Sequence, residues 1–346
     1  MKRVWITKWG GPEVLAVREA PDPEPGPGEL RIRVAAAGVN FADILARMGL
    51  YPEAPRPPFV PGYEVSGEVD RVGSGAEGFR PGDRVVALTA FGGYADAVCV
   101  PAEAAFAIPP NLRFESAAAL PVNYLTAWLM LVYLGNVRPG ETVLVHAAAG
   151  GVGLAALQIC RHRGAEVVGT ASASKHERLL ALGAKAAIDY RTQDFEVEVR
   201  RITGGRGVDI ALDGVGGSSA WKSYRSLAPL GRLFLFGVSS FAPGRRRSIW
   251  SLLRGILAMP SFRPIRLMRE NRGVFGVHLG RLWDRKDLLR QAACEIIDLA
   301  ARGTFDPVIA KAFPLEAAPA AHAYIQERRN FGKVLLVPRR DTMPGT

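Results

Sequence analysis

Residues 142–163, TVLVHAAAGGVGLAALQICRHR, constrain the fold more than any other stretch of the chain. A near-continuous apolar strand is expected over 142–146. It runs into Gly150-Gly151-Val152-Gly153 and then an apolar-periodic helix through Arg163. Small residues at such a strand-to-helix turn let the backbone approach a pyrophosphate, whose charge sits at the helix N-terminus. Read as GxGxxG, the first position is Ala148, followed by Gly150 and Gly153. Glycine-rich turns of this kind also occur without a nucleotide, so the elements that follow decide. Strands are expected over 165–170, 186–189, 208–212 and 232–236, with helices between them, one over 175–182. Buried apolar strands alternating with helices predict an α/β domain with a parallel, doubly wound sheet.

The end of the second strand selects the nucleotide. An NAD site places an Asp or Glu there to bind the ribose diol. This chain reads Thr170-Ala171-Ser172-Ala173-Ser174-Lys175, with Tyr190 after the third strand. No carboxylate repels a 2′-phosphate, and hydroxyls and a cation are present to receive it. Ser172 and Ser174 could instead cap the next helix while Lys175 stays solvated. The phosphate reading is preferred, which makes NADPH the expected cofactor. Ala149, Gly150, Gly151, Val152, Gly153, Ser172, Lys175 and Tyr190 are its expected contacts.

The chain has 346 residues, a length that suggests two domains. Residues 1–122 are rich in Pro and Gly, with short alternating stretches at 30–34, 66–72 and 83–88. Turn signals PGPG (25–28), GSG (73–75) and PGD (81–83) punctuate them, which suggests an antiparallel barrel-like domain. After about residue 303, strands over 308–313 and 333–337 flank a helix over 317–328, a return to the first domain. The expected division is therefore 1–122 with 303–346, and 123–302. Only the tail after Pro338 reads as loose.

Composition excludes several classes. Hydrophobic residues make up 48% and charged residues 22%, which rules out wholesale disorder. The longest apolar run, 120–134, is broken by Asn123, Tyr124 and Thr126 and falls short of a membrane span. The opening MKRVWITKWGG has no apolar segment after its charges, so the cytoplasm is the expected location. Cys99, Cys160 and Cys294 form no CxxC pair and are expected to be buried small hydrophobes, which excludes a disulfide framework and a four-cysteine zinc site. The net charge is +11, and only eight of the 44 basic residues are lysine. Arginines are spread along the chain, with one cluster: Arg245, Arg246, Arg247, Arg254, Arg263, Arg266, Arg269 and Arg272 against the single acid Glu270. No nucleic-acid-reading motif surrounds it, and nucleic acid is not an expected partner. Within this basic segment, 245–272, the stretch SIWSLLRGILAMP (248–260) carries an apolar stripe with arginine neighbours. A lid or packed insertion is the preferred reading, and docking on an acidic membrane surface is the other.

Several motifs in order cover nearly the whole chain: GVNFADILARMGLY (38–51), LPVNYLTAW (120–128), an AxxGxxG turn (Ala147, Gly150, Gly153), GTASASKHE (169–177) and RNFGKVLLVP (329–338). Together they resemble the medium-chain dehydrogenase/reductase superfamily. Within it the chain is most similar to the zinc-free quinone oxidoreductases, in the vesicle amine transport protein 1 homologue branch. The resemblance implies a GroES-like catalytic domain formed by both chain ends, a central Rossmann domain and a homodimer. Zinc alcohol dehydrogenases of this superfamily carry a Cys near the position of Asn40 and a GHE triplet. Here the triplet is Gly62-Tyr63-Glu64, the four-cysteine lobe is missing, and the five histidines never fall at a short ligand spacing, so no metal is expected.

The resemblance also implies roles. Asn40 would lie beside the nicotinamide ribose and Tyr51 would line the substrate cleft. The two are the candidates for polarising a carbonyl and delivering a proton as hydride arrives from NADPH. Asp43 would fix a helix start or loop, and Tyr63 would fill the space of the absent ligand. Thr126 would touch the nicotinamide or its ribose. Phe236-Gly237-Val238 and Phe275-Gly276-Val277 would offer main-chain contacts to the carboxamide. Asn330 and Lys333 would lie where the returning chain closes over the cofactor. The implied activity is zinc-independent, NADPH-dependent reduction of quinones or α,β-unsaturated carbonyl compounds. Two alternatives stay open: an enoyl reductase on a carrier- or CoA-bound chain whose phosphates meet the arginine cluster, and an NADPH-binding membrane or interaction protein with little turnover.

Overall fold

The strand–helix alternation after residue 123 folds into a six-stranded sheet whose pairings are all parallel. Its order is Ala186–Asp189, Glu166–Ala171, Thr142–Val145, Val208–Asp213, Leu227–Leu235, Gly273–Gly276. The chain builds outward on one side of Thr142–Val145 and then resumes on its other side with Val208–Asp213, which creates a topological switch point. Val143, Leu144, Val168, Ile210 and Leu212 are fully buried, the reason these strands read as continuous apolar runs. The strand expected over 232–236 begins earlier, at Leu227. Its ladder to Val208–Asp213 shifts register between Leu227 and Arg232, and Leu230 adopts φ +64°, so the apolar pattern is interrupted there.

The computed structural model describes residues 1–338 apart from 243, 246 and 247. Arg246, Arg247 and the tail expected to be loose, beyond Pro338, lie outside the described residues. Two units organise the chain: Met1–Val122 with Asp284 onward and Arg245, and Asn123–Gly244 with Ser248–Trp283.

In the first unit the strand order is Ile309–Pro314, Lys333–Val337, Glu29–Val39, Glu64–Val72, Arg84–Leu88, Ala105–Ala107, and Ala97–Pro101 also pairs with Glu29–Val39. The long strand Glu29–Val39 serves three partners because register shifts at Arg31/Ile32 and Val34/Ala36 bend it. A hairpin of Lys2–Ile6 and Leu15–Glu19 joins through bridges at Arg3–Ala95 and Ile6–Phe59. Ile6, Leu30, Ile32, Val65 and Val85 fill the interior.

The return to this unit falls at Asp284 rather than at the 303 expected from sequence. Helix Lys286–Ala301 packs here through specific contacts. Lys286 pairs with Glu103 at 2.6 Å, Arg290 lies over the Phe106 ring at 5.5 Å, and the Ala301 carbonyl accepts from Asn111 at 2.8 Å. An amphipathic period reveals that a helix has a partner but not which one. The cysteine expectation needs a correction too: Cys160 is buried, Cys99 is half-buried, and Cys294 is exposed.

Candidate active site

In the second unit the glycine turn is built by close packing. A Cβ placed on Gly153 would stand 2.6 Å from the Ala147 carbonyl oxygen and from Ala148 Cα, so only glycine lets this helix sit so near its strand. Ala147 takes the left-handed φ of +50° that the turn requires. The Ala147 and Ala148 N–H groups donate to Thr170 Oγ1 (3.3 Å) and to the Thr170 carbonyl (3.0 Å), which fastens the turn to the neighbouring strand. Helix Gly151–His162 starts at Gly150 with no side-chain cap and no acid in its first turn. Its first N–H groups are therefore left to an anion. Ala149 is buried within the turn, and Gly151 lies against the Asn123 amide, a neighbour that the sequence did not single out. Thr126, also buried, sits on the same helix as Asn123, Pro121–Trp128.

A buried network braces the strand ends beneath this turn. His146 lies 3.1 Å from Thr170 Oγ1 and 2.8 Å from Ser223 Oγ. Ser223 donates to Asp213 Oδ2 at 2.8 Å, while Asp213 Oδ1 accepts the N–H groups of Val215 and Gly216. Burial holds His146 below its ordinary pKa, so it stays neutral at neutral pH. The three adjacent strands Glu166–Ala171, Thr142–Val145 and Val208–Asp213 are thus tied at their carboxyl ends.

Ser172 and Tyr190 stand one residue beyond Ala171 and Asp189, which are paired in register. The Ser172 side chain makes no cap bond to the short turn Ala173–Lys175, against the capping alternative. The Lys175 N–H bonds back to the Ser172 carbonyl at 2.9 Å, and Arg191 lies 5.9 Å from the Tyr190 ring, a second cation that sequence reading missed. Further across the sheet, Phe236-Gly237-Val238 follow Leu227–Leu235. Phe275 and Gly276 end the next strand, and the Val277 N–H donates to the Leu235 carbonyl. The Phe275 ring stacks on Phe234 with centroids 5.1 Å apart.

In the first unit a polar cluster forms where three strands converge. Strand Lys333–Val337 runs antiparallel to the end of Glu29–Val39, with Val334 opposite Val39, and this brings Lys333 to Asn40. Strand Glu64–Val72 pairs on the other side, and Gly38 has no room for a Cβ because the Glu64 side chain passes over it. Asn40 Nδ2 donates to Glu64 Oε1 at 2.8 Å, and Lys333 Nζ donates to Asn40 Oδ1 at 2.6 Å and to Glu64 Oε1. Glu64 Oε2 accepts the Val122 N–H at 2.7 Å. All three side chains are buried.

Of the residues singled out from sequence in this unit, Asn40 and Lys333 are joined. Asn330 bonds instead to the Gly332 carbonyl at 3.0 Å in the preceding turn. Tyr51 is half-buried with its ring edge-on to Tyr63 at 5.9 Å, and Tyr63 in turn packs on Phe91 at 5.1 Å. Glu64 is the principal omission. Its signal was a glutamate placed directly before the apolar and small residues Val65-Ser66-Gly67 at the start of a strand. Among the described residues no group of three or more His, Cys, Asp and Glu side chains is placed to hold a metal.

Known proteins resemble this chain along its length. The alcohol dehydrogenase GroES-like domain family matches residues 26–110, and the zinc-binding dehydrogenase family matches 182–336. The rat synaptic vesicle membrane protein VAT-1 homolog is 41% identical over 336 residues, covering 96% of this chain and 83% of its own. A 2-haloacrylate reductase from Burkholderia sp. is 35% identical over 346 residues, 96% of this chain and 98% of its own. Among solved structures, Escherichia coli quinone oxidoreductase complexed with NADPH has a TM-score of 0.87 and 33% identity, covering 98% of this chain and all of its own. The human VAT-1 homolog-like protein has a TM-score of 0.85 and 35% identity, with 99% of both chains covered.

Proposed function

The chain belongs to the medium-chain dehydrogenase/reductase superfamily, and from that premise we propose that it is an NADPH-dependent, zinc-independent oxidoreductase that reduces quinones or α,β-unsaturated carbonyl compounds. The observation that carries this reading is the uncapped, acid-free N-terminus of helix Gly151–His162 beside a strand end bearing Ser172 and Lys175, with no acidic residue in its own short turn. Such a site fits a dinucleotide with a phosphorylated ribose: the turn takes the pyrophosphate, and the hydroxyl and ammonium take the 2′-phosphate. The NADPH complex of the E. coli neighbour and the reductase named among the relatives support the same direction.

When bound, NADPH supplies a hydride, which with one proton converts an enone to a saturated carbonyl or a quinone to a hydroquinone. The protein's own part is to bind, orient and stabilise charge. Phe236-Gly237-Val238, Phe275 and Val277 offer main-chain groups at two strand ends for the carboxamide, and Thr126 offers a hydroxyl. The Asn40 amide, held by Glu64 and Lys333, keeps one N–H for a developing oxyanion or the ribose. The Tyr51 hydroxyl is the proposed proton donor.

Zinc independence is supported by the donor set. Both Glu64 oxygens are engaged, one by Asn40 and Lys333 and the other by the Val122 N–H. An ammonium at that carboxylate repels a divalent cation, and Tyr63 rather than a histidine precedes it. A homodimer is part of the proposal, because strand Gly273–Gly276 ends the sheet with an open edge.

Fluorescence titration tests the cofactor assignment. Wild type is expected to bind NADPH more tightly than NADH, and Lys175→Ala to lose about tenfold in NADPH affinity alone, the loss of one charge-assisted contact. Equal binding of both nucleotides by wild type would remove the 2′-phosphate reading.

One observation favours a second role for the basic segment. Helix Ile249–Leu257 rests on Phe241 through Gly255 yet leaves Trp250 83% and Leu257 86% exposed, and Ile265 and Met268 are exposed on helix Pro264–Glu270. The packed insertion preferred from sequence thus leaves its apolar stripe largely in solvent. Arg254, Arg263 and Arg269 flank these residues, while the one acid, Glu270, is paired with Arg266 and Arg272. We propose that this surface docks on anionic bilayers. No helix among the described residues is long and apolar enough to span one. Sedimentation with phosphatidylserine vesicles is expected, with loss in Trp250→Glu or in high salt; binding equal to that with neutral vesicles would contradict it.

A further inference from the structure

One carboxylate ties together the two backbone segments that carry the polar cluster of the first unit. Asp43 Oδ2 accepts the N–H of Asn40 at 2.8 Å, and Oδ1 accepts the N–H of Gly62 at 2.9 Å. The Tyr94 hydroxyl lies near the same carboxylate and favours its charge. Asp43 has no solvent exposure, so a lost partner is not replaced by bulk water.

We propose that Asp43 is a positioning residue: its carboxylate fixes the separation of Asn40 from the Tyr63–Glu64 pair and thereby aims the Asn40 amide. This deepens the reductase reading and rests on it.

The donor count argues for an ionised carboxylate at this point. Two backbone donors meet it, one on each oxygen, and a carboxylate accepts both. An amide there offers one oxygen and turns its NH₂ toward one of the backbone N–H groups. A protonated carboxyl likewise carries a donor of its own on one of the two oxygens that accept the backbone N–H groups. The ionised form is thus the tight clamp, and the neutral form releases one of the two segments.

The surroundings make Asp43 the group that titrates. Lys333 acts on it from the returning strand and Tyr94 from the loop before Ala97–Pro101, while Asp43 itself acts on Tyr63 in the adjoining turn, which Glu64 follows at the start of its strand. Arg47 lies on its own helix, and His322 lies on helix Ala318–Gln326 with Nε2 3.2 Å from the Tyr94 hydroxyl. Burial together with Arg47 keeps that imidazole neutral. Burial also holds the Tyr94 and Tyr63 hydroxyls protonated. Burial pushes the Asp43 carboxyl up to about 7, against the hydrogen bonds and Lys333 that pull it down.

The test combines a pH profile with amide exchange on the full-length protein. Wild-type turnover of a quinone is expected to fall as pH drops through about 7, the range in which Asp43 takes up its proton. Asp43→Asn should be flat across that range and lower in kcat by about 10–100-fold, with NADPH affinity changed far less than kcat. Tyr94→Phe keeps both backbone bonds while removing the neighbouring hydroxyl that favours the charged carboxylate, so its acidic limb should move to higher pH. Exchange of the Asn40 or Gly62 amide should quicken in Asp43→Asn whether or not any acceptor turns over. A limb retained in Asp43→Asn, a Tyr94→Phe variant that loses stability with its limb unmoved, or unchanged exchange would overturn the proposal. Wild type without turnover would overturn the reductase reading, while exchange still decides for or against the clamp.

Discussion

Gly153→Ala is expected to lose NADPH affinity by about 100-fold or more, the scale that follows from displacing binding groups by roughly 1 Å. The added Cβ would meet the Ala147 carbonyl oxygen, Ala148 Cα and the Ala148 carbonyl oxygen, each at 2.6 Å. All three are backbone atoms, so no side chain can rotate away. The helix itself must lift from strand Thr142–Val145, and its uncapped N–H groups withdraw from the phosphate they are proposed to hold. Gly150→Ala is the internal control, since the nearest atom to its new Cβ is the Ala147 carbonyl oxygen at 3.2 Å. That contact asks for a few tenths of an ångström, and a much smaller loss should follow. Titration of both variants by nucleotide fluorescence reads the difference. Equal affinities in Gly153→Ala and wild type would mean that this turn does not hold the dinucleotide.

The second large effect falls on stability. Glu64→Ala leaves the Lys333 ammonium buried beside Asn40 without its counter-charge, a change that costs about 3–5 kcal/mol. Replacing both partners, Glu64→Met with Lys333→Met, removes the orphaned charge together with its partner and is expected to recover most of that loss. Urea unfolding of the single and double variants distinguishes a buried ion pair from simple packing. A double variant that is as unstable as the sum of the two singles would contradict the pairing.

What the sequence revealed and what it hid follow from the range of the interactions. The glycine turn was legible because its constraint is local: a strand, a turn without room for Cβ atoms, and a helix lie within about twenty residues. The strand pattern of the second unit was legible for the same reason, since burial on both faces forces continuous apolar runs. Asn40 and Lys333 were each found, but their joining through Glu64 was not, because Lys333 and Glu64 are 269 positions apart. No periodicity encodes that separation; only strand register brings the three together. Asp43 reads locally as a helix-start residue, and it is one, through the Asn40 N–H. Its second bond, to Gly62, depends on a neighbouring turn that local sequence cannot place. The return to the first unit was expected at 303 and falls at Asp284, because local sequence does not say which unit the segment Lys286–Ala301 packs on. The apolar stripe at 248–260 was visible, whereas its exposure was not, since sequence does not tell a stripe that meets protein from one that meets solvent.

The most direct test of the account is NADPH oxidation, followed by absorbance, with a panel of quinones and α,β-unsaturated ketones in buffer containing a zinc chelator. The account predicts consumption of NADPH with at least one acceptor at a rate the chelator does not change, and much slower consumption of NADH. No consumption with any acceptor, or activity that the chelator abolishes and added zinc restores, would contradict it.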